Sequence, residues 1–234
     1  MSSLATIALA LQLPGVEGPE QTFGELAVGI WEDGGFMMWP LGFALAFGTV
    51  IIIFKLIDLN IKAFKTRGML RQVDELLEAG SIQEAMDAAR ESKTPAGRVL
   101  VAGLERSEEG SERISKAIEN VGLIEMAGLE KGLVWLATVA NVAPLLGFLG
   151  TVIGMILAFQ AIEMAGEVEA TLVAGGIKVA LITTASGLAV AIPMNIAHNY
   201  FVTQVDRMVL DMEESAQKMV DAIHQIDVAA AAKA

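Results

Sequence analysis

Several polar side chains stand inside two mostly apolar stretches, and four of them come first. Asn141 and Thr151 lie in LATVANVAPLLGFLGTVIGMILAF, from Leu136 to Phe159, and Thr183 and Thr184 lie in GIKVALITTASGLAVAIPMNIAHNYF, from Gly176 to Phe201. Uncharged hydroxyls and amides of this kind do not break bonds unaided. They can solvate a passing cation, or hold a carboxylate or a little water at a depth where nothing else would. Their neighbours are small. On a helix Thr151 shares a face with Gly147, Gly154 and Ala158, and Thr184 shares one with Ile177, Ala180, Gly187 and Ala191. Two faces of small residues, each carrying a hydroxyl, suit a narrow lined passage. They equally suit close helix packing, with each hydroxyl bonding back to a carbonyl of its own helix.

Composition excludes most other chemistry. The 234 residues contain no cysteine and two histidines, so a thiolate zinc site, a cysteine nucleophile, a disulfide scaffold and a histidine-rich metal site are ruled out. No nucleophile–base pair or phosphate loop stands out, so an enzyme is not expected. A net charge of −12 argues against nucleic acid, which would need a basic stripe. Hydrophobic residues make up 54% and charged ones 19%, a shift toward lipid.

The elements that carry the polar residues must therefore be spans. Charge is absent from Gly34 to Phe54, from Gly132 to Ile162 and from Val179 to Val205. Each run exceeds the ~20 residues that cross a bilayer core of about 30 Å. The expected fold is an all-α membrane protein with spans at 34–57, 132–162 and 172–205. The basic residues Lys55, Lys62, Lys65, Arg67 and Arg71 follow the first span, and only acidic ones flank its other side and the 163–171 loop. The positive-inside rule then puts 58–131 and 206–234 in the cytoplasm and 1–33 outside. The first span is bulky and apolar all round, which suits lipid, with Trp31 and Trp39 at the outer interface. Pro144 is expected to bend the second span, and Gly187 and Pro193 to interrupt the third.

Outside the spans, a short amphipathic helix is expected over about 1–13, with no basic n-region for a secretory signal. Helical periodicity marks 69–79. Ser81 with Glu84 reads as a capping box for a helix to about Glu91. Thr94-Pro95 starts another, to about Arg106. Ser111 caps a helix that runs into the second span. Apolar residues from Met208 to Ile223 continue the third span as a helix. The charges between Glu105 and Glu130 read as a solvated face. His198 reads as a residue of the inner membrane interface, with a proton relay as the alternative.

The two polar stretches, in this order and in these spans, closely resemble the ExbB/TolQ/MotA proton-channel family over Leu133 to Phe201. Three spans favour the ExbB/TolQ branch over the four-span flagellar one. The resemblance implies a homopentamer around two copies of a single-span ExbD/TolR-like partner. The second and third helices would line a pore, and the partner's intramembrane aspartate would carry the proton. Ion flow would turn one component within the other and so transmit force to the cell envelope. The implied localisation is a bacterial inner membrane, with no cofactor and with H⁺ as the transported ion.

By motif, Thr151 and Thr184 correspond to the pore-facing threonines, Pro144 and Gly150 shape the second helix, and Pro193 shapes the third. Thr183, Asn141, Gly147, Gly154, Ala180 and Gly187 complete the expected lining. This chain has no carboxylate between Glu130 and Glu163 or between Glu169 and Asp206, so the titrating group must come from a partner. One departure stands out: many relatives carry glutamate where this chain has Val179, preceded by Lys178. That leaves Na⁺ as an alternative ion. Lys178 is expected to snorkel outward, to pair with Glu163, Glu167 or Glu169, or to form a cationic ring at the pore mouth. The rivals to a motor subunit are a passive membrane scaffold and, less favoured, a secondary transporter.

Overall fold

The computed structural model describes residues 23–166 and 169–231. Among these the regular structure is entirely helical. In chain order it comprises α1 (Phe23–Asp33), α2 (Met38–Glu78), α3 (Ile82–Ser92), α4 (Pro95–Leu104), α5 (Ser111–Glu130), α6 (Leu133–Ala165) and α7 (Ala170–Ala231), with single 3-10 turns at Gly35–Met37 and Ser107–Glu109. Three stretches are long and apolar enough to cross a membrane: Gly35–Leu77, Leu133–Ala165 and Val173–His224. The amphipathic helix expected over 1–13 lies outside the described residues.

The helices run longer than the apolar stretches within them. α2 has 41 residues, about twice what a bilayer core requires, and the 69–79 periodicity is its far end rather than a separate helix. α7 has 62 residues and passes through both Gly187 and Pro193. Neither interrupts it, contrary to expectation, just as Pro144 leaves α6 continuous. A proline in a helix removes one N–H and frees one carbonyl, here those of Ala140 and Ala189. Membrane helices tolerate that where neighbouring groups take up the freed carbonyl.

The chain divides into two compact units. Of the described residues, the first contains 23–39, 147–166 and 169–186, and so α1 with one end each of α6 and α7. There Trp31 and Trp39 meet edge to face at 5.6 Å, both exposed. α1 was not anticipated. Its Phe23, Leu26, Ala27, Ile30 and Trp31 follow the 3-and-4 spacing of a helical stripe.

Of the described residues, the second unit contains 40–146 and 187–231. Gly48 of α2 is a point of close approach, where a side chain would strike Met194 of α7 and, at 3.4 Å, Val139 of α6. One side of α2 is exposed, with Phe43, Phe54 and Phe64 each more than half accessible, while Leu41, Leu59 and Val73 are buried. Toward its charged end the unit builds a small core from Val73, Ala85, Ala89, Val99, Leu100 and Ile114 with Met208, Met212 and Met219 of α7, all buried. Unbranched methionines fill the irregular gaps between these short helices.

Thr94 caps α4 as expected, its Oγ1 accepting from Gly97 N at 3.0 Å with Pro95 at the first position. The Ser81 capping box does not form. Ser81 holds the N-cap position of α3 but makes no side-chain bond there. The helix beginning at Ser111 is capped by Gly110, and it does not run into the second span. It stops at Glu130, and Gly132 at φ +96° turns the chain into α6. Lys55 braces that joint. Buried to 3% exposure, it donates from Nζ to the carbonyl of Leu129 at 2.8 Å, so a cation sits where the helix C-terminus presents its orphan carbonyls.

The face from Glu105 to Glu130 is not wholly solvated either. Glu125 is only 13% exposed and takes a bidentate pair from Arg98 of α4, Nε to Oε1 at 2.5 Å and Nη2 to Oε2. That hydrogen bond holds the Arg98 guanidinium above its ordinary pKa.

Candidate ion-pathway site

In the first unit α6 and α7 meet backbone to backbone. A Cβ on Gly154 would lie 2.6 Å from the carbonyl oxygen of Gly176 and 2.9 Å from Ala180 N. One on Gly176 would lie 2.5 Å from the carbonyl of Gly154 and 2.8 Å from Ala158 N. Helices in lipid associate through such close approach, because the surrounding tails are as apolar as the side chains. Gly176 was not among the expected residues. The spacing Gly176, Ala180, Thr184, Gly187 puts it on the same face, beside Ile177, and would have found it.

The next contact along this seam is Gly150 against Thr183, whose Cβ would be 2.5 Å from a side chain added at the glycine. Thr183 is wholly buried, and its Oγ1 donates toward the carbonyls of Val179 and Ala180, both at 3.0 Å. It had been grouped with the lining residues. None of its side chain is exposed, and it lies against Gly150.

Thr184 and Thr151 are placed differently. Both are half-exposed. The Thr184 hydroxyl lies 3.2 Å from the carbonyl of Ala180 in its own helix and 3.4 Å from that of Gly147 across the seam. In a regular helix the Gly147 carbonyl is the one the Thr151 N–H takes. The α7 hydroxyl therefore reaches the turn of α6 that Thr151 closes. The Thr151 hydroxyl itself bonds Phe148 O at 2.6 Å. Each hydroxyl can donate only one hydrogen but keeps lone pairs to offer. Gly147, Gly154 and Ala180 are buried around them. The remaining expected residues, Asn141, Pro144, Gly187 and Pro193, fall in the second unit: Gly187 buried, Pro144 half-buried, Asn141 and Pro193 exposed.

Lys178 stands six residues before Thr184 on α7 and is exposed. Its Nζ lies 2.5 Å from Oδ2 of Asp33, the last residue of α1. Pairing with the 163–169 loop had been expected, and Glu167 of that loop lies outside the described residues. The observed partner comes from a helix that the sequence had not revealed. The pairing leaves Lys178 charge-compensated, in place of a bare cationic group.

These features converge with comparisons to known proteins. Residues 91–214 match the family described as the MotA/TolQ/ExbB proton channel family. The putative biopolymer transport protein ExbB homolog of Methanothermobacter thermautotrophicus is 30% identical over 193 residues, covering 82% of this chain and 68% of that protein. The putative ExbB-like 1 protein of Synechocystis is 35% identical over 160 residues, covering 61% of this chain and 63% of that protein. The Tol-Pal system protein TolQ of Haemophilus influenzae is 38% identical over 101 residues, covering 43% of this chain and 44% of that protein. This chain thus spans from under half to about two-thirds of the length of these relatives. With three apolar helices of spanning length and a family match that takes in both Thr151 and Thr184, the chain belongs to the MotA/TolQ/ExbB proton channel family, on its ExbB/TolQ branch.

Proposed function

We propose that this chain is the channel-forming, stationary subunit of an ion-driven motor in an energised inner membrane. It is not an enzyme. Five copies surround two copies of an ExbD/TolR-like single-span partner, and the partner passes force to the cell envelope. With spans at 34–57, 132–162 and 172–205, the basic residues after the first span favour residues 58–131 and the C-terminal end of α7 in the cytoplasm, and α1 with the Asp33–Lys178 pair on the outer side. H⁺ is the first choice of ion and Na⁺ the alternative, since Val179 replaces a common glutamate.

The observation that carries this reading is the pairing of two half-exposed hydroxyls, Thr151 and Thr184, on a glycine seam with no carboxylate of its own. A carboxylate at the bilayer centre costs about 2.5–3.5 kcal/mol or more. Hydroxyl lone pairs and a little water lower that cost without trapping the proton. A membrane potential supplies about 2.3 kcal/mol per charge per 100 mV to drive the cycle. The chain offers solvation for a titrating group and no such group, which is the half of the machine that a partner aspartate completes.

The test is ion flux under an imposed voltage in liposomes holding this chain with an ExbD/TolR-like partner, under H⁺ and Na⁺ gradients in turn. Thr151→Val with Thr184→Val should leave the complex assembled and cut flux at least about tenfold, the effect of ~1.4 kcal/mol of added barrier. Unchanged flux in that double variant would overturn the reading.

A passive scaffold is the second reading, favoured by the fact that both hydroxyls already bond carbonyls of their own helices. It predicts the opposite pattern, in which the valine pair is tolerated and only changes to the seam, such as Gly150→Leu, do harm.

A further inference from the structure

The second unit holds a cleft of about 350 Å³ that none of the residues discussed above explains. It opens between the start of α6, with the adjoining end of α5, and the mid-part of α7. Four polar side chains line it, Glu130, Thr138, Asn141 and His198, between apolar walls that include Leu133 and Val202. Thr138 and Asn141 lie three residues apart on one face of α6, Glu130 stands at the end of α5, and His198 lines the cleft from α7.

Asn141 lies eight residues into α6, about 12 Å along the helix from its start. Its amide nitrogen donates to Ala137 O at 2.9 Å, but its Oδ1 accepts nothing among the described residues. His198 makes a single side-chain contact, Nδ1 to Asn199 Oδ1 at 3.4 Å, which leaves Nε2 facing no partner there. Glu130 makes no ion pair among the described residues. Thr138 donates to Val134 O at 2.8 Å and keeps its lone pairs.

An amide oxygen, an imidazole nitrogen and a carboxylate left open against hydrocarbon would each carry a desolvation penalty. Water in the cleft removes it. A cleft of this volume has room for several waters, and its open acceptors, Asn141 Oδ1, the Glu130 carboxylate and the Thr138 lone pairs, suit a hydrated cation.

We infer that this cleft is an aqueous half-channel through which a hydrated monovalent cation, hydronium or Na⁺, leaves the membrane interior at the Lys55 end of the spans. The inference rests on the reading of the chain as an ion-conducting subunit, and adds to it the exit and the residues that form it. Asn141 is the deepest polar group on the route and precedes Thr151 by ten residues in the same helix. Glu130 is the acidic mouth. His198 is a polar wall.

The absence of native cysteine makes the test direct. Thr138→Cys, Asn141→Cys and His198→Cys are made singly in the full chain, with Val142→Cys as control. Val142 follows Asn141, is turned about 100° around the helix, and does not line the cleft. A membrane-impermeant cationic thiol reagent is applied to each variant in liposomes. The three cleft cysteines should label roughly tenfold faster than the control, and the attached cation should cut flux in the partner-bound complex by a comparable factor. H⁺ and Na⁺ gradients, run separately, name the ion.

Failure of Asn141→Cys to label would show that water does not reach it and would overturn the half-channel. Labelling of all three without loss of flux would show a wet cleft off the ion route, and would overturn the exit. If the unmodified complex conducts nothing, the conduction reading falls, and with it the exit, while the labelling still reports whether the cleft is wet.

Discussion

The two units hold their helices together by opposite means. Between α6 and α7 in the first unit, packing is backbone on backbone: Gly154 and Gly176 meet each other's carbonyls, and a single added methyl has nowhere to go. In the core of the second unit's α3–α5 bundle, packing is mainly side chain on side chain, Gly97 against the Ala89 carbonyl being the exception. Leu100, Val99 and Ile114 are buried with methionines of α7, and even a glycine, Gly103, faces only the flexible ends of Met219 and Ile118. The difference teaches what each solvent rewards. Water rewards buried apolar area, so the bundle collects large side chains and lets methionine level the gaps. Lipid offers no such reward, so the spans gain only by bringing helix axes close. A seam of that kind cannot yield, while a methionine-lined core can.

Four substitutions test that contrast, in falling order of effect. Gly154→Ala should be the most damaging. Its methyl meets backbone atoms on α7, and a cost near 3 kcal/mol, the upper end for overpacking, should show as lost thermal stability and poor recovery of folded protein in detergent. Leu100→Ala removes a side chain that is 1% exposed. About 2–3 kcal/mol is expected by denaturant titration, toward the low side for such truncations because neighbouring methionines relax into the space. Thr94→Ala deletes the Oγ1 cap on Gly97 N and should cost about 1 kcal/mol, read as earlier melting of the bundle. Gly103→Ala should come out within about 1 kcal/mol of neutral, since the helix gains from alanine what displacing Met219 costs. A Gly103→Ala loss equal to that of Gly154→Ala would mean the two units do not differ in the way described.

Much of this arrangement could be read from residue order. Runs without charge located the spans, Thr94-Pro95 announced α4, and apolar spacing from Met208 to Ile223 carried α7 past the last span residue. What escaped had physical causes. The continuity of α2 from apolar to charged residues was hidden because hydropathy changes there while helix propensity does not. Gly187 and Pro193 suggested a break that a membrane helix absorbs. Gly132 was passed over because positive φ is a demand of tertiary geometry rather than of composition.

At the site, motif position singled out Thr151 and Thr184, and both stand half-exposed on one seam. The role of Thr183 could not be separated from that of Thr184 by type or spacing. Only the facing Gly150 distinguishes them. The Asp33 partner of Lys178 joins segments far apart in sequence, and no local pattern encodes such a pair.

Lys55 has a history as well as a place. It is the first basic residue of the chain and directly follows the first charge-free run. When that run enters a membrane during synthesis, α5 and α6 have not yet been made, and a solvated ammonium at this position is what biases a span's orientation. Once Leu129 has been translated and folded into place, the same ammonium is withdrawn to 3% exposure and fastened to its carbonyl. In the topology proposed above, one side chain thus serves first as a charge that directs a span and later as a rivet.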